Sequence, residues 1–141
     1  MDMNRLFAAG MLLAVLCPAL SAVPPAGSIC IAPSPSLPEG RPGRLAPVGA
    51  IYCTQEKFAV KIDSQDAIPW PTEKSVRIGG LDLDAKHQVV VLCGGKAQQT
   101  FFFRYSEFKS RDLCLFINDM YWTVQLWEKK RAPWCKCIAA P

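Results

Sequence analysis

The 141-residue sequence has a single histidine, His87, and no long segment with the apolar spacing of an amphipathic helix. It also lacks a nucleophile elbow, a phosphate-binding loop, the zinc-binding helix motif of metalloproteases and a calcium-binding loop. His87 opens an apolar run, which indicates a surface or strand-entry residue. The short acidic clusters at 63–66 and 81–84 are typical of turns. We therefore expect no catalytic residue, no metal and no cofactor.

The N-terminus has the pattern of a secretory signal. A short polar start precedes the apolar run at 6–20, which is too short to span a bilayer comfortably, and small residues follow at Ala19, Ser21 and Ala22. We expect removal of residues 1–22, which leaves no transmembrane segment in the mature chain. The predicted location is secreted or periplasmic. The net charge of +4 without a basic run gives little support for a nucleic-acid partner.

The cysteine count favours a disulfide framework. Of seven cysteines, Cys17 falls in the predicted signal, so six remain, and an even count in a secreted chain is typical of structural disulfides. Spacing does not determine their pairing. One arrangement joins the C-terminal strand to Cys114 and Cys93 and leaves Cys30 with Cys53. In it, the C-terminal segment closes over a sheet with Trp134 packed beneath. The predicted disulfide cysteines are Cys30, Cys53, Cys93, Cys114, Cys135 and Cys137.

Composition divides the remaining chain into two parts. Residues 23–50 hold seven prolines and four glycines in 28 positions, which predicts a mostly unstructured tether. Residues 51–141 contain short β-type runs separated by turns, which predict an all-β domain, a small antiparallel β-sandwich of immunoglobulin-like type or an open barrel. In this interpretation the C-terminal segment is a disulfide strap over the sandwich.

Two hairpins stand out in the predicted domain. Gly94-Gly95 indicates a primed turn between two apolar runs, and Asn118-Asp119 suits a two-residue loop. If Ile117 pairs with Met120, one face of the second hairpin is wholly apolar and belongs to the core. That face consists of Leu113, Leu115, Ile117, Met120, Trp122, Val124 and Leu126. The other face is mixed and is either half-covered or a binding surface.

One stretch resembles the PEGA-type modules, small β-sandwich repeats of bacterial envelope proteins. The similarity covers residues 60–105, where Val76, Ile78, Leu81 and Leu83 lead into a turn and a second strand follows from His87. The chain carries Asp84-Ala85-Lys86 where that family usually has a Pro-Gly type turn. The resemblance implies a PEGA-like sandwich and an envelope setting, and it implies no particular chemistry.

The predicted function is a non-catalytic binding or envelope-associated module, with a cell-surface, polysaccharide or protein partner. Exposed aromatic rings beside cations are suitable contacts for such partners. The candidate binding face comprises Phe116, Tyr121, Trp127, Trp134, Lys129, Lys130 and Arg131. The alternative is a thiol protein that binds a soft metal or exchanges disulfides through Cys135 and Cys137, which lie two residues apart. A small hydrolase built around His87 or the carboxylates is a third hypothesis.

Overall fold

The structure, a computed structural model, describes residues 25–35 and 51–137. These residues form two four-stranded sheets, which we name sheet A, in the order β4-β1-β7-β8, and sheet B, in the order β3-β2-β5-β6. Besides the strands, the described ranges contain three short 3-10 helices, Gln55–Lys57, Tyr105–Glu107 and Lys129–Arg131, and no α-helix. The strands are β1 (Gly27–Ile31), β2 (Phe58–Ile62), β3 (Ile68–Pro69), β4 (Val76–Leu81), β5 (Lys86–Cys93), β6 (Lys96–Arg104), β7 (Asp112–Asn118) and β8 (Thr123–Glu128).

A continuous hydrophobic core lies between the two sheets. It draws Ile29 and Leu115 from sheet A and Val60 and Val89 from sheet B, each fully buried. The alternating pattern of β2 places Phe58, Val60 and Ile62 in this core and the intervening residues outside it. The structure confirms the predicted small, disulfide-stapled all-β sandwich.

The hairpin at Gly94-Gly95 forms as predicted. Cys93 pairs with Lys96, and both glycines have positive φ angles, 57° and 82°, which a two-residue primed turn requires. The resulting pair of long strands, β5 and β6, supplies most of sheet B.

The register of the second hairpin differs from the prediction. Ile117 pairs with Val124 instead of Met120, so the loop holds four residues, 119–122. The Asn118 side chain accepts a hydrogen bond from the Met120 amide, and its carbonyl accepts one from the Trp122 amide at 2.7 Å. These two bonds favour the wider loop, which leaves Met120 73% exposed and not in the core. The shift is an even number of residues, so the apolar and mixed faces keep their predicted membership elsewhere.

The prediction of an unstructured tether is wrong for residues 27–31. These residues form β1, which lies inside sheet A, antiparallel to β4 and parallel to β7. All five residues are buried. The proline and glycine content of the whole segment concealed the short apolar run around Ile29 and Ile31, which can bury its side chains. Residues 36–50 and the predicted signal peptide at 1–22 lie outside the described residues.

Candidate binding surface on the strapped face

The outer face of sheet A carries an ordered row of side chains across its four strands. Cys30 pairs with Arg77 on one side and with Cys114 on the other, and Cys114 pairs with Trp127. Directly paired residues project to the same face of a sheet. The row is therefore Arg77, Cys30, Cys114 and Trp127, with a cation at one end and an indole at the other.

The C-terminal segment covers the middle of this row through two disulfides. Cys137 bonds to Cys30 and Cys135 bonds to Cys114. Two cysteines that lie two residues apart thus reach two neighbouring strands, which makes residues 132–137 a strap across sheet A. We call the outer face of sheet A that the strap crosses the strapped face. The third disulfide joins Cys53 to Cys93. The suggested pairing of Cys30 with Cys53, and of Cys93 with the C-terminal segment, is therefore wrong. It failed because β1 was not expected inside the sheet.

The strap and the outer face enclose a second, smaller hydrophobic cluster. Its buried members include Ala32, Phe116 and Ala132, together with the Cys114–Cys135 bridge. Cys114 and Cys135 are 0% and 1% exposed, so solvent does not reach this disulfide. The strap is consequently packed onto the sheet as well as bonded to it, and the surface it forms is rigid.

Three aromatic rings lie beside the strap. Phe116 contacts Trp127 edge-on at a centroid distance of 4.9 Å, and Trp134 contacts Phe116 at 5.5 Å and Trp127 at 5.9 Å. The prediction that Trp134 packs beneath the strap is wrong, since its side chain is 53% exposed. Trp134 belongs to the strap and Phe116 to β7, so the disulfides hold the Trp134 ring against the sheet.

These rings form one wall of an open groove of about 470 Å³, which we name the aromatic groove. The opposite wall comes from the residues that follow β1, including Pro33 and Pro35. Asn118 and Asp119 lie at one end and supply polar groups. An apolar groove with a few polar groups at its margin is the ordinary form of a ligand site.

The candidate residues divide between this groove and its surroundings. Phe116, Trp127 and Trp134 are brought together, and the Arg131 guanidinium lies 5.1 Å from the centre of the Trp127 ring. Lys129 lines a neighbouring depression next to the Cys30–Cys137 bridge, and Lys130 is exposed on the same turn. Tyr121 is 50% exposed in the β7–β8 loop and does not line the groove.

Sequence reasoning missed the contribution of the N-terminal segment. Pro33, Pro35 and Arg77 reach this face only because β1 is inserted between β4 and β7. The available signal was Cys30. It lies between Ile29 and Ile31 in a short apolar run, and a strand formed by that run brings the cysteine to its bonding partner.

His87 is buried, not a surface residue. It is 3% exposed, its Nδ1 lies 2.7 Å from the Asp63 carboxylate and its Nε2 lies 2.6 Å from the Asp82 carbonyl oxygen. An imidazolium ring donates to both acceptors, whereas a neutral ring donates to only one. Because both nitrogens are occupied, His87 has no free ring nitrogen to act on a substrate. This geometry indicates a structural role for the histidine.

Within 25–35 and 51–137, no three His, Cys, Asp or Glu side chains lie close enough together to hold a metal ion. None of the helical segments in those ranges is long and apolar enough to cross a membrane. The fold and site thus define a small disulfide-stapled β-sandwich with a grooved outer face. Comparison with protein-family models, curated proteins and solved structures finds no match for the chain.

Proposed function

We propose that this protein is a secreted or periplasmic, non-catalytic binding module that is associated with a cell envelope and holds its partner on the strapped face of sheet A. The observation that carries the proposal is the aromatic groove, in which Trp134 remains 53% exposed although it directly precedes Cys135 in a strap that two disulfides hold to the sheet. A large ring that is both exposed and rigid loses little conformational entropy when it meets a partner.

The disulfides support the secreted or periplasmic location in this proposal. Three disulfides in a small domain are typical of proteins that fold in an oxidising compartment. The proposed envelope setting also agrees with the resemblance to PEGA-type modules, which stays a prediction.

The thiol alternative requires Cys135 and Cys137 as reactive or metal-binding thiols. The structure instead bonds each of them to a cysteine of a different strand, and it buries the Cys114–Cys135 bridge. The geometry therefore favours the binding module over the thiol protein.

The proposal is tested by binding of the fluorescently labelled mature domain to intact cells of its source organism. We expect saturable binding that falls about tenfold or more in Trp134→Ala, the size of effect typical of a buried aromatic contact. The matched control is Phe102→Ala, because Phe102 is 54% exposed on sheet B and does not line the aromatic groove. Absent binding, or equal loss in both variants, contradicts the proposal.

A further inference from the structure

Cations border the strap on several sides. Arg77 lies at one end of the outer-face row, Lys136 lies between the two bridged cysteines of the strap and is exposed, and Arg131 lies over Trp127. Lys74 lines the same depression as Arg77, Lys136 and Trp134. Among the described residues, no carboxylate lies within 4.0 Å of a nitrogen of these four side chains. Their charges are therefore available to a partner.

Carboxylates are present on this face but are fewer. Glu73 and Asp112 line the depressions next to the strap, and Asp119 lies at the end of the aromatic groove. The Asp112 carboxylate already accepts a hydrogen bond from the Ser28 hydroxyl at 2.6 Å. When Lys129 is added to the four cations above, this face carries five cationic side chains and three carboxylates. Its net charge is therefore positive, which favours an anionic partner.

The depressions and the groove form one track across sheet A. The depression beside Lys74 and Arg77 shares Trp134 and Pro33 with the aromatic groove. Arg77 and Trp127 are three strand spacings apart, which is about 14 Å at the usual separation of neighbouring strands. A track of this length is suited to a linear polymer and is longer than a single small anion needs.

The walls of the track offer few backbone groups to an extended peptide. Strand addition requires free main-chain N–H and C=O groups. Pro33 and Pro35 have no N–H, the Ala32 amide donates to the Leu115 carbonyl, and the Ser34 amide donates to the Pro71 carbonyl. Recognition along this wall therefore depends on ring faces and cationic side chains. A chain of acidic sugars presents apolar ring faces and negative groups together, which matches that pattern.

We propose that the strapped face binds a linear anionic polysaccharide, with sugar rings against Trp134 and Trp127 and acidic groups near Arg77, Lys136 and Arg131. This inference rests on the proposed binding function and specifies its partner. Because the contacts are partly electrostatic and exposed, binding should weaken as the salt concentration rises.

The experiment measures binding of the disulfide-intact mature protein to four polymers by calorimetry. Polygalacturonate and heparin supply carboxylated and sulfated sugars, fully methyl-esterified polygalacturonate supplies the same backbone without charge, and poly-L-glutamate supplies charge without sugar. We expect binding to one or both acidic polysaccharides and at least tenfold weaker binding to the last two. Arg77→Ser/Lys136→Ser should weaken binding by about 3- to 10-fold, the range for two exposed ion pairs.

The control variant is Lys86→Ser/Lys96→Ser, which removes the same charge from sheet B, where Lys86 lies 4.6 Å from the Phe102 ring. We expect it to bind as the unaltered protein does. Equal weakening in both double variants would show a non-specific effect of net charge and would overturn the inference. Tight binding of poly-L-glutamate or of the methyl ester would overturn it as well.

The cell-binding assay separates this inference from the proposed function. If cells bind the protein through Trp134 but neither acidic polysaccharide binds or competes, the polysaccharide inference fails and the binding module stands. If the cells do not bind the protein at all, the proposed envelope-associated function fails, and calorimetry with the four polymers alone then decides the polysaccharide inference.

Discussion

Removal of the Cys30–Cys137 bridge should destabilise the domain strongly, because this bridge ties β1 to the C-terminal strap across most of the described chain. Its cysteines are 107 residues apart, against 40 and 21 for the other two bridges. With the other two bridges intact, the chain inside each of them is bypassed, and the loop that Cys30–Cys137 closes is roughly 46 residues. The chain-entropy relation then gives about 4 kcal/mol for Cys30→Ala/Cys137→Ala. This is a large share of the ~5–15 kcal/mol typical of a domain.

Urea unfolding followed by tryptophan fluorescence measures this loss, since Trp70 is 2% exposed and becomes solvated on unfolding. Alanine is preferred to serine because Cys30 is buried and a hydroxyl there would add a desolvation cost. The urea m-value should rise, because an uncrosslinked unfolded chain exposes more surface. Cys53→Ala/Cys93→Ala is the comparison, with an expected loss of about 4 kcal/mol. Lost packing at Cys30 can only add to the effect, so a loss below ~2 kcal/mol would refute the reasoning.

Three further predictions concern contacts between and within the sheets. Gly27→Ala should cost about 1–3 kcal/mol in thermal unfolding, because a Cβ there would lie 2.2 Å from a ring carbon of Tyr105; an unchanged Tm would contradict this. Burial, followed by the charges of Asp112 and Asp63, raises the pKa of the Tyr105 hydroxyl, so stability should fall as pH rises above ~10, where the unfolded tyrosine ionises. Tyr105→Phe should weaken this pH dependence of the unfolding free energy, and it should lower stability by about 1 kcal/mol because the hydrogen bond to the Ser28 carbonyl is lost. An unchanged pH dependence would show that it does not come from Tyr105. The Gln99 side chain accepts a hydrogen bond from the Val124 amide and donates one to the Val124 carbonyl on the edge strand β8. Gln99→Ala should therefore speed hydrogen exchange at the Val124 amide, and an unchanged exchange rate would contradict the role of this contact.

The two faces of the β7–β8 hairpin were predictable from sequence although its register was not. Side chains alternate along a strand, so any even shift in pairing leaves Leu115 inward and Phe116 outward. The loop length depends on two hydrogen bonds that Asn118 accepts from the amides of Met120 and Trp122. These bonds compete with a two-residue turn, and composition does not reveal which set is formed.

The candidate site was predicted in part for a related reason. The sequence indicated Phe116, Trp127 and Trp134 as candidates, because an outward-facing aromatic side chain must either be covered by other residues or contact a partner. The opposite wall could not be nominated, since it depends on a parallel pairing between β1 and β7 that joins residues more than eighty positions apart. No local pattern encodes such a pairing, and the prolines around Cys30 suggested an extended chain instead.

The most direct test of the binding surface follows the four tryptophan indole N–H signals of the protein in a ¹H–¹⁵N spectrum during a titration. The ligand is the acidic polysaccharide that binds, or solubilised envelope material if neither polysaccharide binds. The account predicts that the indole signals of Trp127 and Trp134 shift, while that of Trp70, whose indole N–H donates to the Ala32 carbonyl in the interior, does not. Assignment by Trp127→Phe and Trp134→Phe identifies the signals. Shifts confined to residues of sheet B, with the Trp134 indole unaffected, would contradict the claim that the strapped face is the binding site.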